Sequence, residues 1–534
     1  MNSRRAPLLH PFLFALYPVV AFLGANVGHI VFASGLRAIV VCLLLAALIW
    51  ASLRLVLRDG PRAAFLTTVA LVLLFSYGHV YSLLDGLALG VDLGRDRYLL
   101  PAFGLVFVGC ALWIGRRRRN LALVSSVLNL FVVIALLLPV IQIVLYPIRS
   151  GRVNPLSDGA GEDGAGSAVS ALAVPPGETP PDIYYIVVDT YTRADALQAF
   201  LSYDNTPFIH QLEDLGFYVA SCSSSNYSRT LMSVASSLNL GFLDSFAPQM
   251  VAQQTDPYRL DSFIQHSLLR RRLEEAGYRT IAVESGFGPT EWKDADVYLT
   301  PRREMRVEWF GGLNETESYL LKGSLGVLVY RFFPRLPFET RLQLDYAYVE
   351  HRNRLLFALD ELPKVAAMEG PKLVFVHLLA PHEPFVFKSD GGYVERRTPF
   401  TLNNDEETWA WEVYSSGYVG QLSYLNSRLL GVMSDILAAS KTPPFIVLQG
   451  DHGIRRMEDH WARVAILNAY YFPGQAGEGL YPTISPVNSF RLLFDSRFGT
   501  HLGLLPDRTY QSSSGESYDF LVTDHLIGEC AAPR

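Results

Sequence analysis

Lysine is absent from the first 181 residues, where 14 arginines stand against 8 acidic side chains. Cysteine is scarce everywhere, four in 534 residues, and no two form a Cys-x-x-Cys pair. So few cysteines exclude a disulfide framework, and the missing pair excludes a zinc ribbon or a thioredoxin-like centre. Cys42 and Cys110 lie inside apolar runs and read as small hydrophobes, whereas Cys222 and Cys530 are free to pair in an oxidising compartment. Positive charge is in deficit over residues 182–534, with 31 basic against 43 acidic side chains. That deficit excludes the phosphate-neutralising surface of a nucleic-acid binder.

Long hydrophobic runs, by contrast, are plentiful near the N-terminus. Five stretches, 12–32, 38–57, 63–84, 98–115 and 121–146, each approach the ~20 apolar residues that a helix needs to cross a bilayer. The first has no small-residue cleavage site and four more follow it, so it reads as a membrane helix and not a removable signal. With the N-terminus in the cytoplasm, Arg4, Arg5, Arg54, Arg58, Arg62 and Arg116 to Arg119 lie inside; only Arg37, Arg95 and Arg97 fall in outside loops. This is the positive-inside pattern, and an odd number of spans puts everything after Tyr146 outside. Ionisable residues in or near the spans are few (His29, His79, Asp85), which favours anchoring over an ion pathway. Residues 147–181, rich in Gly, Ala, Ser and Pro, read as a flexible tether.

From residue 182 onward the pattern alternates between short β-branched runs and helical periodicity. Ile183 to Val188, Tyr278 to Val283, Leu373 to Val376 and Phe445 to Leu448 read as strands buried on both faces. Helical patterns over 260–276, 350–363 and 411–437 lie between them, so the expected fold is α/β with a mostly parallel central sheet. Working residues in such sheets gather at the C-terminal strand edge. Asp189 ends the first run, His377 ends another, and Asp451 and His452 follow a third. Oxygen and nitrogen donors of this kind suit a divalent cation, with Zn, Mn, Mg and Ca not distinguished. A lone Asp after a strand is equally a helix cap, and His460 and His501 read as ordinary histidines; three strand ends sharing one chemistry read as a site.

In order along the chain, Ile186-Val-Val-Asp189-Thr, Val376-His377-Leu-Leu-Ala-Pro-His382-Glu-Pro and Gly450-Asp451-His452-Gly453 resemble the signature segments of the sulfatase-like branch of the alkaline-phosphatase superfamily. With spans and a tether in front, the chain also resembles the membrane-anchored lipoteichoic-acid synthases and phosphoethanolamine transferases. The resemblance implies an alkaline-phosphatase/sulfatase-like domain over 182–534, outside the cytoplasmic membrane. It implies Asp189, Thr230, Asp451 and His452 as metal ligands and Thr230 as nucleophile. His377 and His382 would contact substrate, protonate the leaving group or hold a second metal. Ser225 is the alternative nucleophile, four residues before Arg229. Neither Cys222 nor Ser225 has the proline two residues on that marks a formylglycine site. One departure is Asp189 itself, because the named transferases use Glu there, whereas Asp is usual in sulfatases and phosphodiesterases.

The expected organisation is therefore a membrane domain over 1–146, a linker over 147–181 and an extracytoplasmic catalytic domain over 182–534. The expected function is metal-dependent transfer of a phospho-alcohol head group from a membrane phospholipid donor to a cell-envelope glycan or lipid acceptor, through a phosphothreonine. The competing readings are a sulfatase or phosphodiesterase with the same metal site, and a non-enzymatic envelope scaffold.

Overall fold

The computed structural model of the chain describes residues 7–27, 32–85, 96–116, 121–150, 172, 180–252, 257–301, 312–394, 400, 410–454, 456, 459–512 and 518–523. His29, Cys530 and nearly all of the expected tether lie outside the described residues. The chain falls into two compact units.

The first unit contains five apolar helices: α1 (His10–Ala25), α2 (Leu36–Leu57), α3 (Gly60–Asp85), α4 (Asp96–Arg116) and α5 (Ala122–Ser150). The last four are long and apolar enough to cross a membrane. With 16 residues, α1 is ~24 Å long, which is shorter than the hydrocarbon core. It stops where Asn26 turns its backbone N–H and its side-chain amide onto the Phe22 carbonyl. Small residues bring the helices together: Ala15, Val19, Ala38, Cys42 and Ala46 form one buried cluster with Leu23 and Leu71. Leu44, Leu48, Leu105, Leu130 and Leu138 remain exposed, the outward apolar surface that a lipid-facing bundle carries.

Residues 312–349, which the sequence places within the catalytic domain, fold with these helices. The Glu315–Gly323 helix opens on a capping box in which Asn314 and Glu317 satisfy each other's backbone N–H groups. Asn314 also donates to the Ser34 carbonyl, and Thr316 and Ser34 share a hydroxyl hydrogen bond. Arg37, at the start of α2, makes a bidentate ion pair with Glu317. Tyr319 stacks on Phe22 with ring centroids 4.3 Å apart.

The second unit is built on a seven-stranded mixed sheet. Its strands are β1 (Ile183–Val188), β2 (Tyr218–Val219), β3 (Arg279–Val283), β4 (Val297–Leu299), β5 (Lys372–Leu378), β6 (Phe445–Gly450) and β7 (Asn468–Tyr471). The spatial order is β2-β7-β6-β1-β5-β3-β4. The five strands β6, β1, β5, β3 and β4 run parallel, β7 runs antiparallel to them beside β6, and β2 pairs antiparallel with β7 at that edge. Every residue of β1, β5 and β6 is buried, as expected of strands covered on both faces. Burying each aliphatic side chain contributes about 1.5–3 kcal/mol. The long Trp411–Ala439 helix turns Tyr414, Tyr418, Gln421, Leu425 and Leu429 inward, a helical repeat that lays polar groups over the strand ends.

The Arg37–Glu317 pair makes a testable claim. Arg37→Gln leaves the Glu317 carboxylate largely buried without its partner, and should destabilise the first unit by about 1–3 kcal/mol. The Arg37→Gln/Glu317→Gln double variant should recover part of that loss, read as the thermal midpoint of the detergent-solubilised full chain.

Candidate active site

Parallel register brings the three signature segments together. β1 lies between β5 and β6, with Val187 beside His377 and Val188 beside both Leu378 and Gly450. The strands therefore end level, and Asp189 and Asp451 emerge as neighbours. The Asp189 N–H donates to the Leu378 carbonyl at 2.9 Å, continuing the ladder one residue beyond β1. The chain then turns through Thr190, a non-glycine residue at φ 63°. Its N–H donates to Asp451 Oδ1 at 2.9 Å, and its carbonyl accepts from Tyr418 at 2.7 Å. Those bonds hold a left-handed backbone that would otherwise cost about 1–2 kcal/mol. Gly453 is required for a different reason: a Cβ there would collide with the Ala462 carbonyl.

One ligand atom from each of Asp189, Asp451 and His452 lies within 4.8 Å of the others, and all three residues are buried. His452 Nε2 is 3.7 Å from Asp189 Oδ1 and 3.5 Å from Asp451 Oδ2. Thr230 Oγ1 is 3.2 Å from the same nitrogen. The Nδ1 of His452 faces the Gly453 carbonyl at 2.8 Å, so Nδ1 carries the proton and the Nε2 lone pair points at the carboxylates. His377 repeats this logic. Thr290 donates to the Phe287 carbonyl at 3.1 Å and meets His377 Nδ1 at 3.0 Å. The bare His377 Nε2 is then turned toward Asp189 Oδ2, 3.5 Å away.

Two of these atoms, Asp451 Oδ2 and His377 Nε2, are buried without a hydrogen-bond partner among the described residues. Lone pairs converging with no donor between them are what a cation relieves, so the donor set fits a divalent metal.

Thr230 begins the Thr230–Leu238 helix. It is half-exposed, while every later residue of that helix is buried. Arg229 before it is extended and gives no side-chain cap, so the first-turn N–H groups are available to an anion. Ser225 is completely buried, its backbone N–H on the Val464 carbonyl and its hydroxyl unpartnered. Cys222 is disulfide-bonded, whereas Cys42 and Cys110 are free. His382 is half-buried, donates its backbone N–H to the Asp189 carbonyl at 3.2 Å and turns Nδ1 onto the Glu383 carbonyl. Gln421 fixes that loop by donating to the His382 carbonyl and accepting from Val386 N–H. His460 is exposed and bonded to Gln511, apart from the cluster. Asn226, in a glycosylation sequon, is fully buried with its amide on Ser485 and Arg508, so no glycan fits there.

Several residues here carry no sequence signal: Thr290, which orients His377; Tyr418 and Gln421, which hold the strand-end loops; and His351. His351 is fully buried, and its pKa is pushed down to about 3 by burial first, then by Arg354 and His382.

No family model matches the chain, and no curated protein matches it. Solved structures that resemble it include the C-terminal periplasmic domain of EptC from Escherichia coli, at 13% identity and TM-score 0.41, covering 67% of this chain and 97% of that one. The integral membrane lipooligosaccharide phosphoethanolamine transferase A from Neisseria meningitidis is 14% identical at TM-score 0.39, covering 92% of this chain and 96% of that one. The phosphonate monoester hydrolase of Agrobacterium radiobacter is 13% identical at TM-score 0.36, covering 63% and 82% respectively.

Two expectations follow from the site. Asp451→Asn removes a ligand charge and should lower retained divalent metal at least tenfold, measured by elemental analysis after gel filtration of the full chain. A histidine whose folded pKa is lowered is protonated first in the unfolded state, so between pH 6.5 and pH 3 acid weakens the fold. For His351 that loss is about 2 kcal/mol at pH 5. His351→Gln should shrink the fall in denaturation midpoint between pH 7 and pH 5.

Proposed function

We propose that this chain is a membrane-anchored, metal-dependent transferase of the sulfatase-like type. It would move a phospho-alcohol head group from a membrane phospholipid to a cell-envelope glycan or lipid. The observation that carries this reading is Thr230 Oγ1 at a helix N-terminus, 3.2 Å from His452 within the Asp189, Asp451 and His452 donor cluster. The four helices long and apolar enough to cross a membrane would keep the site close to a lipid donor. With α1 counted as a fifth span, the arginine distribution would place it outside the cytoplasmic membrane.

Asp189, Asp451, His452 and Thr230 would hold the metal, with His377 Nε2 as a further donor. When bound, a divalent ion lowers the pKa of a coordinated hydroxyl and stabilises charge on phosphoryl oxygens. The chain's own groups supply the rest. The Thr230 hydroxyl gives up its proton to solvent and its oxygen forms a bond to phosphorus as the bond from phosphorus to the diacylglycerol oxygen breaks. The free N–H groups of the Thr230–Leu238 helix face the phosphoryl oxygens. His382, beside the cluster and partly open to solvent, delivers the proton to the departing alcohol. In the second step the acceptor hydroxyl gives its proton to His382 and attacks phosphorus, the bond to Thr230 breaks, and a proton from solvent returns to the threonine oxygen.

The disulfide at Cys222 removes it as a formylglycine precursor, and the burial of Ser225 disfavours that alternative. A phosphodiesterase or sulfatase that releases its product to water remains the second reading, favoured by Asp rather than Glu at position 189. A scaffold role leaves the cost of the unpartnered Asp451 and His377 atoms without purpose.

Incubating the full chain with metal and mixed phospholipids should give a covalent adduct of head-group mass that maps to Thr230 and is absent from Thr230→Ala. Metal-dependent release of sulfate from an aryl sulfate with no adduct would move the assignment to a sulfatase. Absence of adduct, ester cleavage and bound metal together would favour the scaffold.

A further inference from the structure

The stretch 318–337 contains Lys322, Arg331 and Arg335 and no acidic side chain, with Tyr319, Tyr330, Phe332 and Phe333 among them. The acidic residues of 312–349 flank it, Glu315 and Glu317 before it and Glu339 and Asp345 after it. Glu317 is already neutralised by Arg37. Cations interleaved with aromatic and aliphatic side chains are the composition of a segment that lies in a lipid headgroup layer.

Its place in the fold is at one end of the apolar helices. The stretch takes in most of the Glu315–Gly323 helix and the 3-10 helix Leu325–Arg335. Tyr319 stacks on Phe22 in the last turn of α1, and Thr316 just ahead of it bonds to Ser34, shortly before α2 begins. Near the far end of α3 the backbones almost touch. A Cβ on Gly78 would fall 2.0 Å from the Lys322 carbonyl, and one on Gly323 would fall 2.6 Å from His79 Nε2. Ser318, Gly323, Ser324 and Tyr330 are buried on the packed side. Tyr319 and Val329 are 40% and 39% exposed, and Arg335 is open as well. Phe32 and Leu36, at the same end of the helices, are also exposed. The open face therefore continues the lipid-facing surface of the spans, at the level where tyrosine and arginine anchor to headgroups.

We infer that residues 318–337 form a docking surface for anionic phospholipid. Tyr319 and Val329 enter the boundary between headgroups and acyl chains, and Lys322 and Arg335 meet the lipid phosphates. Two features select a bilayer as the occupant: the surface is continuous with helices that cross a membrane, and its charge is of one sign, opposite to that of the lipid. The inference concerns the first unit alone and holds whichever reaction the second unit catalyses.

The experiment places the photoreactive amino acid p-benzoylphenylalanine at Val329 or, as a reference, at Leu44, an exposed residue within α2. The full chain is reconstituted in equimolar phosphatidylglycerol and phosphatidylcholine, irradiated and digested, and lipid adducts are counted by mass. Both positions should capture lipid. The ratio of phosphatidylglycerol to phosphatidylcholine should be about fivefold higher at 329 than at 44. Lys322→Gln/Arg335→Gln should bring the ratio at 329 down to that at 44 while adducts still form. Capture of lipid at 44 with none at 329 overturns the inference, and so does capture of a second copy of the chain at 329 in place of lipid. Equal ratios at the two positions in the otherwise unaltered chain overturn it too, as does a preference that survives in the double variant. Should the double variant not fold, salt decides: raising it should lower the ratio at 329 and leave that at 44 unchanged, and a ratio at 329 indifferent to salt overturns the inference.

Discussion

A single hydrogen bond, from the Thr190 N–H to the Asp451 carboxylate, joins the ends of two neighbouring strands and sets the geometry of the candidate site. Asp451 uses one oxygen for this bond and for the N–H of His452, and the other is left facing the histidine. The same bond stabilises the left-handed turn that lets Asp189 face inward as the chain leaves β1. Without level strand ends in a parallel sheet, Asp189, His377 and Asp451 would be scattered over the sheet edge. With them, Asp189 and Asp451 meet, and together with His452 they form one cluster of possible ligand atoms.

The second layer of the site consists of side chains that hold other side chains. Thr290 sets the tautomer of His377, Tyr418 clamps the Thr190 carbonyl, and Gln421 bridges the loop carrying His382. Such partners commonly tune a metal site by aiming its ligands.

Legibility from sequence tracked burial. β1, β5 and β6 are continuous apolar runs because both of their faces are covered, so their ends could be read, and with them Asp189, His377, Asp451 and His452. Thr230 came from resemblance to a family, since a threonine opening a helix is otherwise just a cap. Thr290 left no trace, because its role depends on a contact with His377 across 87 residues and not on local periodicity. The fate of residues 312–349 was hidden for the same reason. Glu317 and Arg37 are 280 residues apart, and nothing near either announces the other.

That last pairing bears on how the protein can be taken apart. The chain enters the second unit, leaves it to fold residues 312–349 with the apolar helices, and then returns. Cutting once ahead of β1 would not release a self-contained unit. The excised piece would carry a helix whose Tyr319 had lost its stacking partner and whose Glu317 had lost its cation. Modularity along the sequence and modularity in space differ here, and an insertion or graft that respected only the first would cut through a folded unit.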